Sequence, residues 1–238
     1  MTDALTSERF PCDKRVEIDL GSRSILLAVS DGVPGTHRRM ARKLTLSAIE
    51  HALSHELVDR SPDEALRAAL TYASDILEGA ANGSTDARVT SQFVGVIVHD
   101  GRAELASVGP FQAYLLRGNS LVRLTADASL AVTKERTPHG GIVGRATALR
   151  IFSRGFELRR EDTLVLYADG LSDAPSIDAV RLVLQTGTLQ SACEGLLAVA
   201  RERHSEGAAV IVATVYGDGL VERVTTGAVD ELVKGVAE

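Results

Sequence analysis

Two Asp-Gly pairs each follow a short apolar run that is typical of a buried strand. Asp31-Gly32 follows the run 24–30, and the run 163–167 leads into Asp169-Gly170. A carboxylate at the end of a buried strand is held in place, and the glycine behind it lets the backbone turn sharply. Two carboxylates at one end of a sheet could bind Mg²⁺ or Mn²⁺, which prefer oxygen ligands. Each pair alone is also ordinary turn chemistry, so the surrounding sequence must decide between the two interpretations.

The histidines and cysteines form no recognisable catalytic or zinc motif. His51 and His55 are one helical turn apart and could bind zinc, but the spacing provides no third ligand. An exposed helix face is the simpler interpretation. The two cysteines, Cys12 and Cys193, are too few for a disulfide framework. They favour inert or buried thiols in a reducing compartment.

Composition narrows the class of protein. The 238 residues include 26 basic and 32 acidic side chains, a formal net charge of −6, and 45% are hydrophobic. This balance predicts a single globular domain and argues against a general nucleic-acid binder. No apolar run reaches the roughly 18–20 residues of a membrane-spanning helix, and residues 1–13 lack the apolar core of a signal peptide. We therefore expect a cytoplasmic protein that binds neither nucleic acid nor a membrane.

The elements that must position the two carboxylates alternate in blocks. The first strand is followed by two helices, near 37–57 and 62–81, the second starting with a capping box. Hairpin signals at Asp100-Gly101 and Gly118-Asn119 then predict an antiparallel meander over 92–124. Later segments predict strands at 151–156, 163–167 and 208–216, and helices near 176–184, 188–204 and 228–236. Helices and antiparallel strands in blocks predict a layered α+β domain.

Five segments, taken in order, resemble the metal-dependent protein phosphatases of the PPM type in their compact bacterial form. Residues 26–35 (LLAVSDGVPG) are similar to the strand and D-G-M-G-G loop of that family, and 161–173 (EDTLVLYADGLSD) to its G-D-x-L-L-L-C-S-D-G-L-T-D segment. The other three segments lie at 106–116, 121–130 and 205–212. The order and spacing hold over residues 9–216, and we treat 1–238 as one such domain.

The resemblance implies a fold and a chemistry. The fold would be a four-layer αββα sandwich of two antiparallel sheets flanked by helices. The reaction would be hydrolysis of phosphoserine and phosphothreonine by a water that bridges two Mn²⁺ or Mg²⁺ ions. The substrate would be a phosphorylated protein in bacterial signalling. It could be the target of a Ser/Thr kinase, or an antagonist of an anti-sigma factor.

The resemblance also assigns roles to individual residues. Asp31 and Asp169 would be the central catalytic carboxylates, both acting as metal ligands. The remaining assignments are the Gly32 carbonyl, Asp13 and Glu206 as further metal ligands, and Arg9 as the phosphate-binding arginine. Asp13, Glu206 and Arg9 could equally be ordinary loop residues.

Several departures from the family pattern leave a second hypothesis open. Pro34 replaces a loop glycine, Pro110-Phe111 replace an Asp-Ser pair, Ala128 replaces a histidine, and Glu206 stands where the family has aspartate. The chain could therefore be a pseudophosphatase that keeps the fold as a regulatory binding module. Against this, two buried carboxylates would repel each other without a cation, which favours a metal site and activity.

A basic cluster follows the first Asp-Gly pair. It consists of Arg38, Arg39, Arg42 and Lys43. A solvated helix face is the simplest interpretation. The cluster could also steer a phosphorylated, acidic substrate toward Asp31.

Overall fold

The computed structural model describes residues 15–21, 24–33, 37–56, 60–81, 89–125, 141–168, 177–185, 187–202, 208–216 and 220–228. The strands are β1 (Arg15–Gly21), β2 (Ser24–Gly32), β3 (Ser91–His99), β4 (Arg102–Val108), β5 (Gln112–Arg117), β6 (Ser120–Arg123), β7 (Phe152–Glu157), β8 (Thr163–Ala168), β9 (Ala209–Tyr216) and β10 (Leu220–Ala228). The helices are α1 (Arg38–His51), α2 (Pro62–Ala81), α3 (Ile177–Gln185) and α4 (Leu189–Glu202). A π-helical turn (Ala52–Glu56) extends α1, and a short 3₁₀ turn (Ala146–Ala148) precedes β7.

The strands form two antiparallel sheets. The first sheet has the order β1-β2-β3-β4-β7, and the second has the order β10-β9-β8-β5-β6. Both predicted hairpins are confirmed: β3 pairs with β4, and β5 pairs with β6. Asp100 and Gly101 have φ values of 44° and 77°, and Gly118 has a φ of 56°. These left-handed conformations suit the tight turns that their sequences predict.

Three apolar clusters define four layers. One cluster lies between the sheets and includes Leu27 and Val29 of β2 together with Leu164 and Leu166 of β8. A second joins α1 and α2 to the outer face of the first sheet. The third joins α3 and α4 to the outer face of the second sheet. The predicted αββα sandwich is confirmed, and β2 is buried on both of its faces.

Local sequence explains why α2 begins and lies where it does. Pro62 is its first residue, and the hydroxyl of Ser61 donates a hydrogen bond to Glu64 at 2.8 Å. The buried positions of α2 recur at helical spacing from Ala65 to Leu77. They pack with α1 against the first sheet, which places α1 beside the end of β2.

Two strands were missing from the sequence prediction, namely β1 and β10, which pair with β2 and β9. The helix predicted near 228–236 lies outside the described residues except for Ala228, which ends β10. None of the helices in the described segments has the length and apolarity that crossing a membrane requires.

An acidic side chain under α2 affects how stability depends on pH. Glu104 of β4 pairs in register with Gly155 of β7. A Cβ at Gly155 would lie 2.6 Å from a carboxylate oxygen of Glu104. Burial, followed by the charge of Asp63, raises the pKa of Glu104 above 4.5. The folded chain therefore binds this proton more tightly than the unfolded chain, and stability falls as pH rises from 4.5 through the raised pKa.

We expect Glu104→Gln to stabilise the fold at pH 7, because the variant removes a charge that the folded state disfavours. At pH 4 the carboxyl is largely protonated in both states, so the difference should vanish. Urea unfolding of both proteins at the two pH values measures this. A variant with no advantage at pH 7 would contradict the expectation.

Candidate functional site

The candidate site begins at the last two residues of β2. Asp31 is only 3% exposed, and its backbone pairs with Gln92 of β3. The amide of Gly32 donates a hydrogen bond to Asp31 Oδ1 at 2.9 Å. Pairing with β3 thus holds a nearly buried carboxylate at a fixed point.

The N-terminus of α1 packs directly against Gly32. A Cβ on Gly32 would lie 2.6 Å from the carbonyl oxygen of Arg38, and closer still to its Cα. Only glycine fits at this position without displacing the helix backbone. The close approach brings the first residue of α1 to the end of β2.

Arg38 uses this position to contact two oxygen atoms at once. Its Nη2 donates to Asp31 Oδ2 at 2.7 Å, and its Nε donates to the carbonyl oxygen of Gly32 at 3.2 Å. The planar guanidinium suits such a paired contact, because its donors point in fixed directions. The side chain is 21% exposed, so the ion pair is only partly screened by water.

A second guanidinium lies one helical turn further along α1. Arg42 Nη1 is 3.9 Å from Asp31 Oδ1, and the Arg42 side chain is 13% exposed. Among the described residues, its Nε is buried without a hydrogen-bond partner. Within this part of the site, two positive charges therefore face the single negative charge of Asp31.

At Asp31 and Gly32, the two assigned ligands that lie among the described residues, these contacts disfavour a metal ion. The resemblance assigns the Asp31 carboxylate and the Gly32 carbonyl to metal ions, yet Arg38 donates to both groups. A divalent cation there would also meet the charge of Arg42 at short range. Within the described ranges, no group of three or more His, Cys, Asp or Glu side chains is placed to hold a metal ion.

The other predicted site residues lie outside the described residues; these are Arg9, Asp13, Asp169 and Glu206. The structure does show the strand ends next to two of them. Ala168, which precedes Asp169, pairs with Ala209 of β9, and β2 contacts β8 and β9 across the sandwich.

The structure gives no support to the alternative zinc site or to a reactive thiol among the described residues. The rings of His51 and His55 are 5.1 Å apart, and Tyr72 stacks on His51 at 6.2 Å. Both histidines are exposed, near the other end of α1. Cys193 is buried among apolar residues of α4 and the second sheet, as expected for an inert thiol. Cys12 lies outside the described residues.

Sequence reasoning placed Arg38 and Arg42 in a basic cluster that could steer a substrate, but it did not predict their contact with Asp31. Their spacing of four residues places them on one helix face, and Arg38 follows Asp31 by only seven residues. These signals also fit a solvated helix face. The repulsion expected between the two carboxylates also no longer requires a metal ion, because arginine side chains of the chain itself supply positive charge to Asp31.

We expect Asp31→Asn to destabilise the fold by about 2–3 kcal/mol, because it leaves two largely buried guanidinium groups without their carboxylate. Asp178→Asn is a matched control, since Asp178 binds Arg181 at the same 2.7 Å on an exposed face of α3. That change should cost less than about 1 kcal/mol. Chemical denaturation measures both, and equal effects would mean that the Asp31 contact is an ordinary surface pair.

Comparison with known proteins supports the architecture. No protein-family model matches the chain, and no curated protein matches it. Solved structures do. A bacterial serine phosphatase superposes with a TM-score of 0.74 at 19% identity, covering 89% of this chain and 95% of the other. The serine/threonine phosphatase PstP/Ppp of Mycobacterium tuberculosis gives 0.68 at 20% identity, with 86% and 96% coverage.

A third structure is the catalytic domain of the serine/threonine protein phosphatase PstP in complex with two manganese ions. It superposes with a TM-score of 0.65 at 19% identity, covering 93% of this chain and 94% of the other. Identities this low compare folds and leave the chemistry of individual sites open. The chain described here has the fold of the bacterial serine/threonine phosphatases.

Proposed function

We propose that this domain is a regulatory binding module that keeps the phosphatase fold without two-metal hydrolysis. The contact between Arg38 and the two oxygens of Asp31 and Gly32 supports this most directly. Hydrolysis through metal ions needs those oxygens as ligands, and here they accept hydrogen bonds from a guanidinium. The altered positions Pro110, Phe111 and Ala128 agree with a site released from catalysis.

The partner that we propose is a phosphorylated protein, in keeping with the phosphatases that share the fold. It could be the target of a Ser/Thr kinase or an antagonist of an anti-sigma factor. Arg39 and Lys43 are exposed on α1 beside the Asp31 site. Basic side chains at the N-terminal end of a helix, where the backbone dipole is positive, favour a phosphate group.

A second candidate function is metal-dependent hydrolysis of phosphoserine or phosphothreonine, with two Mn²⁺ or Mg²⁺ ions. The observation that favours it is Asp31-Gly32, held at the buried end of β2. The second Asp-Gly pair of the sequence, at Asp169, would then complete the site. This function requires an ion to bind these oxygens against the positive charge of Arg38, or Arg38 to move away from them.

An activity assay separates the two candidates. We expect the full chain to release no more phosphate from a phosphothreonine peptide with millimolar Mn²⁺ than with EDTA, because Arg38 holds the ligand atoms. Malachite-green detection measures the release, and the PstP catalytic domain is a positive control. Turnover that EDTA abolishes would establish the second candidate instead.

The binding proposal has its own test. The double variant Arg39→Glu, Lys43→Glu should weaken binding of a phosphothreonine peptide about tenfold, because it reverses two charges beside the phosphate. Fluorescence anisotropy at fixed ionic strength measures the affinity. Arg160→Glu is the control, since Arg160 is exposed in the turn before β8, at the opposite end of that strand from Ala168. Equal loss in both variants would show only a general charge effect.

A further inference from the structure

We infer that Arg38 takes the place of a metal ion, so that its guanidinium and a divalent cation compete for the same two oxygens at the end of β2. The inference deepens the proposed function and rests on the same contact. The positive charge that a metal ion would supply at this site comes instead from a side chain of the protein itself.

The backbone leaves Arg38 little freedom to move away. The start of α1 lies against Gly32 without room for a Cβ. Further along the helix, Thr45 is buried, and its hydroxyl lies 2.6 Å from the hydroxyl of Ser91 on β3. The helix is thus tied to the first sheet one to two turns after Arg38. The packed backbone of α1 therefore holds Arg38 next to Asp31.

Both carboxylate oxygens of Asp31 are engaged. Oδ1 accepts from the Gly32 amide at 2.9 Å, and Oδ2 accepts from Arg38 at 2.7 Å. The Gly32 carbonyl accepts from the same guanidinium. An ion would bind these oxygens at about 2.0–2.1 Å, through the lone pairs that the hydrogen bonds leave over. It would then lie close to the Arg38 guanidinium, so the two positive charges oppose each other.

Among the described residues, two guanidinium groups lie near the single carboxylate of Asp31. Asp162, another buried carboxylate, is bound by Arg117 through two hydrogen bonds of 2.9 and 2.6 Å and by the amide of Arg159. There one guanidinium balances one carboxylate. At Asp31, Arg42 adds a second positive charge within 4 Å, which disfavours a further cation.

The test is direct binding of Mn²⁺, which is measured by electron paramagnetic resonance of the free ion. We expect wild-type protein to bind Mn²⁺ weakly, and Arg38→Ala to bind at least about tenfold more tightly, because both oxygens become available and one positive charge is gone. Arg38→Met is a second variant that keeps the apolar stem of the side chain and so protects the packing of α1. Either variant, if folded by circular dichroism, is informative.

Arg181→Ala is the matched control, because it removes one arginine from an ion pair of the same length on α3. It should bind Mn²⁺ like the wild type. The inference is overturned if wild-type protein binds as tightly as the Arg38 variants, or if neither folded variant gains affinity. Phosphatase activity is a separate readout. Metal-dependent turnover by the wild type would refute the proposed function, while a gain of Mn²⁺ affinity in Arg38→Ala would still show the competition.

Discussion

A carboxylate that is removed from water needs a positively charged partner. In this chain the buried carboxylate of Asp31 has such partners. The side chain lies at the end of a strand that pairs with β3 as far as Gly32, and α1 and α2 pack on the same sheet. Water reaches little of it, so its charge must be balanced within the molecule. The balance comes from α1, whose first residue packs against Gly32. Apolar packing positions α1 on the first sheet, and the pairing of Arg38 with Asp31 follows from that position.

The sandwich makes the pairing rigid. Alternate residues of β2 enter different clusters: Leu26 and Ala28 pack under α1 and α2, and Leu27 and Val29 pack between the sheets. A strand held on both faces cannot slide or tilt without opening two cores. The end of β2 is therefore fixed in position, and its geometry determines which groups can bind Asp31.

Much of the fold could be predicted from short-range patterns, because those patterns determine local structure. The Asp-Gly and Gly-Asn turns, the capping box at Ser61 and the apolar run of β2 each depend on a few neighbouring residues. The strands β1 and β10 were missed although both carry short signals of this kind, and β10 is rich in Val and Thr. In β1, charged residues alternate with Val16, Ile18 and Leu20, in a run of only seven residues at the edge of the sheet.

The partners of the candidate site could not be predicted in the same way. Arg38 and Arg42 are indistinguishable in sequence from arginines on a solvated helix face. Their contact with Asp31 depends on the tertiary packing of α1 against Gly32, which no local pattern encodes. The resemblance to metal-dependent phosphatases led to the expected ligand atoms at β2, and the structure shows that Arg38 contacts those atoms.

The short connection between Gly32 and Arg38 has a thermodynamic consequence. A cation tethered six residues from its acceptor acts at a high effective concentration, whereas a free ion contributes only in proportion to its amount in solution. Where a tethered cation neutralises the carboxylate, the free energy of unfolding does not depend on metal binding at that position. The positive charge at that position is then the same whether manganese is scarce or abundant.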